Sequence, residues 1–355
     1  MSAWQIAVNR YHEMIAAEIA AGEIAQKIPR ESPGGRGAEE LPLRNYFRRT
    51  SAQGARPHRR NRFTAKKNAA AQESRDRKGA PAGGSEGHGM SYFAESKRIV
   101  VKVGSSTLTH PTGSLNLRRI EELAEVLSDF VNAGKQVILV SSGAVASGVA
   151  KMKLGHRPAT IPEKQAMAAV GQSELMKLYD RCFSDFGHTV AQILLTKDVV
   201  DDRVGCAAAK DTFRTLLEMG CVPVVNENDS VSTEELHKFG GNDLLSAYVA
   251  VMTEADLLLN LSDVDGLYTD DPRQNPEAEL ISSVSKVTDE MLASAGGAGT
   301  DRGTGGMLAK LRAARIATEA GIPMFILNGS DPKILYRLMD GGHIGTYFRA
   351  KEKTE

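Results

Sequence analysis

The chain has 355 residues, 41% of them hydrophobic, and its 44 basic and 44 acidic side chains cancel to a formal net charge of +0. That apolar content is ample for one large or two smaller cores, and the charge balance excludes a chain built as a whole for nucleic acid or an anionic membrane. No apolar run approaches the ~18 residues of a membrane span, and Cys182, Cys206 and Cys221 form no CxxC pair, which suits buried or idle thiols in a reducing cytoplasm.

Residues 1–27 carry apolar side chains at roughly helical spacing, and a helix is expected there. From Pro29 to about Gly89 the chain is rich in Arg, Gly, Ala, Ser, Pro and Gln and poor in aliphatics. Such a segment buries too little apolar surface to offset its ordering entropy, so residues 1–89 are expected to be a disordered basic extension. It reads as an inert tail or as upstream sequence translated from an early start codon. An arm for RNA or anionic lipid and a targeting segment are the alternatives. Ordered patterning begins near Met90, which sets one domain at 90–355.

From there strands and helices alternate. The run RIVVKVG at 98–104 predicts a buried strand, followed by an amphipathic helix over 116–134 that stops at Gly134. Further strands are expected at 136–144, 187–196, 221–229, 255–266 and 322–330, with helices over 163–184, 198–219, 243–253 and 306–320. Continuously apolar strands separated by helices predict an α/β fold, a mainly parallel sheet with helices on both faces. Ligands bind such sheets at the carboxyl ends of the strands. The motifs KVGSS, SSGA, NENDS, LSDVDG and NGS all fall at those ends.

Lys102 lies inside an apolar strand, where an unpaired ammonium is costly. It is either aimed at phosphate oxygens or a strand-end lysine reaching solvent. Ser141, Ser142 and Gly143 break a strand into a small-residue helix and present N–H groups and hydroxyls to an anion. Asn226, Glu227, Asn228 and Asp229 follow another strand and suit a polar, charged substrate such as an amino acid's ammonium. Asn242 and Asp243 open a helix, where Asp243 is a plain N-cap or orients lysines or a metal. Ser262 and Asp263 suit a nucleotide's base or ribose. The stretch GAGTDRGTGGMLAKLRAARIA at 297–317 passes from glycine loop to helix and carries Lys310. Neither a Walker pattern nor a strand-linked G-x-G-x-x-G occurs. Lys102 and Lys310 would bracket a transferring phosphoryl group, a reaction that rests on positioning and charge neutralisation, much of it from Mg2+.

The motifs VVKVGSS, LVSSGAVASG, EKQAMAAVGQSELM, QILLT, VPVVNENDSV, GNDLLSA, LSDVDGLYTDDPR, GTGGMLAKL and IGTYF, in this order, resemble those of the amino acid kinase family over nearly all of the chain after Met90. The resemblance implies an αβα sandwich. Its NEND and GTGGM motifs point to the branch that phosphorylates the γ-carboxylate of L-glutamate with MgATP, the first step toward proline. On that resemblance Lys102 and Lys310 stabilise the γ-phosphoryl group, and Asp243 orients the lysines or bears on Mg2+. Ser142, Asp229 and Asn242 would hold glutamate. Ser262 and Asp263, with Thr304, Gly305, Gly306, Met307, Leu308, Ala309 and Lys310, would hold ATP as co-substrate; no residue is assigned as metal ligand. A homo-oligomer, proline as feedback inhibitor and glutamate-5-semialdehyde dehydrogenase as functional partner are also implied, with no membrane or nucleic-acid role.

Two departures stand out. The family reads Gly-Asp-Asn-Asp where this chain has Gly240-Gly241-Asn242-Asp243, so an acidic group near the substrate ammonium is missing, and Gly241→Asp is expected to lower the KM for glutamate. The chain also ends at Glu355 without the C-terminal PUA domain of many relatives, which leaves oligomeric arrangement and proline inhibition open. Another kinase of this family acting on a different carboxylate or phosphate, or a nucleotide-binding sensor without turnover, are the alternative readings.

Overall fold

The computed structural model describes residues 93–110, 113–156, 158–232, 239–295 and 306–352. The helix expected at 1–27 and the basic extension through Gly89 lie outside the described residues, as do Thr304 and Gly305.

Strand β1 (Arg98–Val103) leads through a helical turn, α1 (Ser105–Leu108), to helix α2 (Leu117–Asn132), then β2 (Gln136–Val140), α3 (Ala144–Met152) and α4 (Ile161–Ser184). Next come β3 (Val190–Leu195), α5 (Lys197–Asp201), α6 (Arg203–Glu218), β4 (Val222–Glu227), α7 (Asn242–Met252) and β5 (Leu257–Ser262). A hairpin of β6 (Leu267–Tyr268) and β7 (Leu280–Ile281) precedes β8 (Ser283–Val284), α8 (Asp289–Ala295), α9 (Met307–Glu319), β9 (Met324–Asn328), α10 (Ile334–Met339) and β10 (Thr346–Phe348). The main sheet has the order β3-β4-β2-β1-β5-β9-β10-β8. Its neighbours are parallel except β9 with β10. Among the described residues no helix is long and apolar enough to cross a membrane.

Local chemistry sets the helix ends. Asn116 caps α2 by accepting from the Arg119 N–H at 3.2 Å, and Gly134 follows its last turn with φ +83°, a left-handed conformation that costs glycine little. Thr160 and Glu163 form a reciprocal capping box at the start of α4. The single helix expected over 198–219 is two helices. Asp202 ends α5 and its carboxylate caps α6, accepting from the Gly205 N–H at 2.6 Å.

Two apolar layers sandwich the sheet, and strand alternation decides which side chain joins which. Ile99, Val101 and Val103 of β1 pack with α2 and α4, while Val100 packs with α7 and α9. Lys102 shares the parity of Val100, and Asn260 of β5 shares that of Leu258, so both face α7 and α9. On the opposite layer α3 and α4 cross at Gly148 and Gly171, where a Cβ would overlap the carbonyl oxygens of Met167 and Ala144. That contact draws α4 against the turn after β2.

Candidate active site

Lys102 is the penultimate residue of β1, and its Nζ lies 2.7 Å from Oδ1 of Asp243. Lys310, in the first turns of α9, brings its Nζ to 3.6 Å from Oδ2 of the same carboxylate. The three residues are 4%, 3% and 5% exposed in chain order, so water screens little of this interaction. Burial pushes the Asp243 carboxyl up, but the two ammonium groups and the hydrogen bonds from Lys102 and Asn260 outweigh it and hold it below the ordinary 3.8. Burial pulls the Lys102 ammonium below its ordinary 10.5, helped by Lys310 and opposed by Asp243. Two ammonium groups around one carboxylate make the trio itself net positive, which favours an anion beside it. A Cβ at Gly104 would lie 3.5 Å from Lys102 Nζ, so the absence of a side chain there keeps the space beside the ammonium clear.

Asp243 is not the N-cap of α7; Gly241 is. The carboxylate instead sits inside the first turn, where the helix dipole favours a negative charge. Gly241 has φ +107° and ψ 166°, a backbone region essentially reserved for glycine. An aspartate at this position therefore carries a strain that the family pattern alone does not show, and it works against the expected gain in KM.

Asn242, one residue before Asp243, turns the other way. Its Nδ2 lies 2.8 Å from the Ser141 carbonyl, 2.9 Å from Ser142 Oγ and 3.0 Å from Asn226 Oδ1. Asn226 in turn donates to Gln172 Oε1 at 3.0 Å, and Ser141 pairs with the Tyr179 hydroxyl at 2.8 Å. The Asn242 Oδ1 is buried with no hydrogen-bond partner among the described residues, an acceptor left to spare. Asp229 lies beyond β4, half-buried, and lines a cavity of about 360 Å3 with Ala144, Gln172, Glu227 and Asn228. Lys102, Asp243 and Lys310 are not among that cavity's walls; its wall residue Gln172 connects through Asn226 to Asn242, the chain neighbour of Asp243.

At the end of β5, Ser262 is buried and donates to the carboxylate of exposed Asp263 at 3.1 Å, and the Asp263 charge acts on Lys102. Gly306 is the N-cap of α9, and Met307, Leu308 and Ala309 form the turn leading to Lys310. The structure thus joins Lys102, Asp243 and Lys310 in one cluster and Ser142 with Asn242 in a second, with Asp229 on a cavity wall and Ser262 and Asp263 at a neighbouring strand end. Among the described residues no group of three or more His, Cys, Asp or Glu converges to hold a metal alone. Mg2+ needs only one or two carboxylates when substrate phosphates supply the other oxygens; the exposed carboxylate of Asp263 at the end of β5 suits that need, whereas both oxygens of Asp243 are taken up by Lys102, Asn260 and Lys310.

Sequence reasoning passed over Asn260, Gln172 and Tyr179. Asn260 donates its Nδ2 to Asp243 Oδ1 at 2.7 Å and is the register partner of Lys102 across β1 and β5. The signal was present: one amide inside the apolar run LLLNLS. Gln172 and Tyr179 carry no such mark, because a helix face mixes polar and apolar residues routinely.

Comparison with known proteins places this geometry. Residues 97–328 match the model of the amino acid kinase family. A glutamate 5-kinase of Clostridium perfringens is 51% identical over 261 residues, covering 73% of this chain and 97% of the relative. A glutamate 5-kinase of Listeria monocytogenes is 50% identical over 261 residues, 73% of this chain and 95% of the relative. Among solved structures, the T. acidophilum isopentenyl phosphate kinase product complex aligns with a TM-score of 0.50 at 17% identity, over 71% of this chain and 100% of that one. An isopentenyl phosphate kinase substrate complex aligns with a TM-score of 0.51 at 18% identity, over the same 71% and 100%. At that identity the structures speak to the fold, and the αβα sandwich is theirs too. With its fold, its paired lysines on one buried carboxylate, a family match over 97–328 and about half of 261 aligned residues shared with these relatives, the chain belongs to the amino acid kinase family.

Proposed function

We propose that this chain transfers the γ-phosphoryl group of ATP to the γ-carboxylate of L-glutamate, giving γ-glutamyl phosphate and ADP, the first step toward proline. The observation that carries the reading is the buried Lys102–Asp243–Lys310 cluster at the carboxyl ends of the parallel strands. Phosphoryl transfer rests on positioning and electrostatic stabilisation more than on covalent help from the protein, and two ammonium groups fixed by a shared carboxylate supply both. Relatives named glutamate 5-kinase at about half identity support the choice of acceptor.

In this reading Lys102 and Lys310 meet the phosphoryl oxygens from two sides, and Asp243 keeps their spacing while leaving the trio net positive. Ser142 and Asn242 hold the acceptor, and Asp229 faces its ammonium from the adjoining cavity. Ser262, Asp263 and the segment Thr304–Lys310 hold ATP. Asp263 would hold the Mg2+ that accompanies the nucleotide, and the ion would supply charge neutralisation at the phosphate oxygens. No general base is needed, because the attacking carboxylate is ionised at neutral pH. Residues 90–355 form the catalytic domain, supported by the family match over 97–328. A cytoplasmic homo-oligomer, inhibition by proline and a partnership with glutamate-5-semialdehyde dehydrogenase complete the reading and rest on the family resemblance alone.

The test is ADP release with MgATP and glutamate, aspartate, N-acetylglutamate, carbamate and UMP in turn. Turnover with glutamate, abolished in Lys102→Ala and Lys310→Ala, is the expected result. Turnover with a different acceptor only would keep the mechanism and overturn the substrate.

A further inference from the structure

We propose that Asn260 is a positioning residue for the phosphoryl-transfer site, holding the Asp243 carboxylate in the one orientation that lets its two oxygens serve Lys102 and Lys310 separately. The inference rests on the function proposed above.

Asn260 lies in the middle of β5, fully buried, with leucines on either side in sequence. Its register neighbours are Lys102 on β1 and Ile326 on β9, and strand parity turns it toward α7. There its Nδ2 meets Asp243 Oδ1 at 2.7 Å, the same oxygen that Lys102 approaches at 2.7 Å. Oδ2 is left to Lys310 at 3.6 Å. A carboxylate accepts only, so the amide must present its NH2 and its own oxygen must turn away. That oxygen is buried with no hydrogen-bond partner among the described residues. An orphaned buried carbonyl costs stability, and a leucine here would remove the cost. Keeping the amide is therefore a sacrifice of stability, and the only described polar contact of its side chain is Asp243.

The position explains the benefit. Among the described residues Asp243 has no side-chain donor other than the two lysines and Asn260. The lysines are the groups that must move with the phosphoryl oxygens. Asn260, anchored in the central sheet, is the donor that stays, so it fixes the carboxylate rotamer while the ammonium groups exchange partners.

The experiment compares the full chain with Asn260→Leu and Asn260→Gln in three readouts: steady-state kinetics with MgATP and glutamate, thermal melting, and the pH dependence of both. Asp243 is faced by Lys102 from β1 and Lys310 from α9, with Asp263 beyond Lys102, and these remain in both variants. Asn260→Leu is expected to melt no lower than the parent, to lose about tenfold or more in kcat at little changed KM, and to move the acid limb of kcat and of stability to higher pH. Asn260→Gln, which restores an NH2, is expected to recover part of the kcat. The proposal is overturned if kcat stays within about twofold of the parent with both acid limbs unmoved. It is overturned equally if kcat falls only in step with a lowered melting temperature that Asn260→Gln does not repair. A parent that ignores glutamate and turns over another acceptor overturns the function proposed above; the same comparison then runs on that acceptor, and the acid limb of stability needs no turnover.

Discussion

Replacing Asp243 with Asn removes one charge and almost no volume, which isolates the electrostatics of the cluster. At an effective dielectric constant of about 20, unit charges at the observed 2.7 and 3.6 Å attract by about 6 and about 5 kcal/mol. Returning the carboxylate to water in the unfolded chain refunds several kcal/mol of that sum, and removing one partner from a buried ion pair costs about 3–5 kcal/mol net. In a domain of this size that corresponds to a melting temperature lowered by roughly 6–20 °C. The deficit has a pH signature. Lys102 already titrates below 10.5 because it is buried, and without Asp243 it falls further. Between its folded pKa and 10.5 the unfolded chain binds more protons, so stability rises with pH in that window. The variant escapes by shedding the Lys102 proton, and its deficit should narrow as pH rises from neutrality toward the ordinary 10.5. Differential scanning calorimetry of parent and variant across that range, with kcat at each pH, measures both. A variant melting within about 2 °C of the parent at neutral pH, or a deficit that is flat in pH, would refute the assignment of a shared buried counter-ion.

The remaining predictions concern neighbouring features. Acid titration of the parent should show stability present above about pH 4–5 and lost as pH falls through the lowered folded pKa of Asp243, since a depressed carboxylate binds its proton more readily in the unfolded state; a flat urea midpoint over that range contradicts it. Lys102→Met should lower kcat by roughly 100-fold or more while the protein stays folded, measured by coupled ADP release and circular dichroism. Gly241→Asp, placed at φ +107°, should cost about 1–3 kcal/mol of stability by urea unfolding; a cost near zero together with a lower KM for glutamate would show that the backbone there relaxes freely. Gly171→Ala puts a methyl into the Ala144 carbonyl and should destabilise by about 1–3 kcal/mol, with a raised KM for glutamate as Gln172 and the Ser142 turn are pushed apart.

Much of this protein was legible before any coordinate. The six long strands and the major helices follow from apolar runs and caps, because these are local: β1 is RIVVKV, α2 stops at glycine, α4 opens on a capping box. The parallel sheet follows as well, since strands apolar on both faces must be covered on both. Even the meeting of Lys102 with Lys310 in one place, here around Asp243, was inferable from chemistry. Strands of two or three residues, β6, β7, β8 and β10, were not, for so short a segment has no period to detect. Nor was the break at Asp202, where a capping carboxylate overrides a helical pattern that runs straight through it.

What tertiary structure alone decided is contact between residues far apart in the chain. Strand order places β5 beside β1, and register then sets Asn260 opposite Lys102; neither is encoded in any local window. The first turn of α7 arrives over that pair and converts Asp243 from a residue at a helix start into the counter-ion of two lysines. Gly241 reads as a missing carboxylate in the sequence and as the positive-φ N-cap of α7 in space. The physical reason is the same in each case. Propensity and periodicity act over a few residues, whereas the energy of a buried charge depends on which distant groups the fold brings within about 4 Å of it.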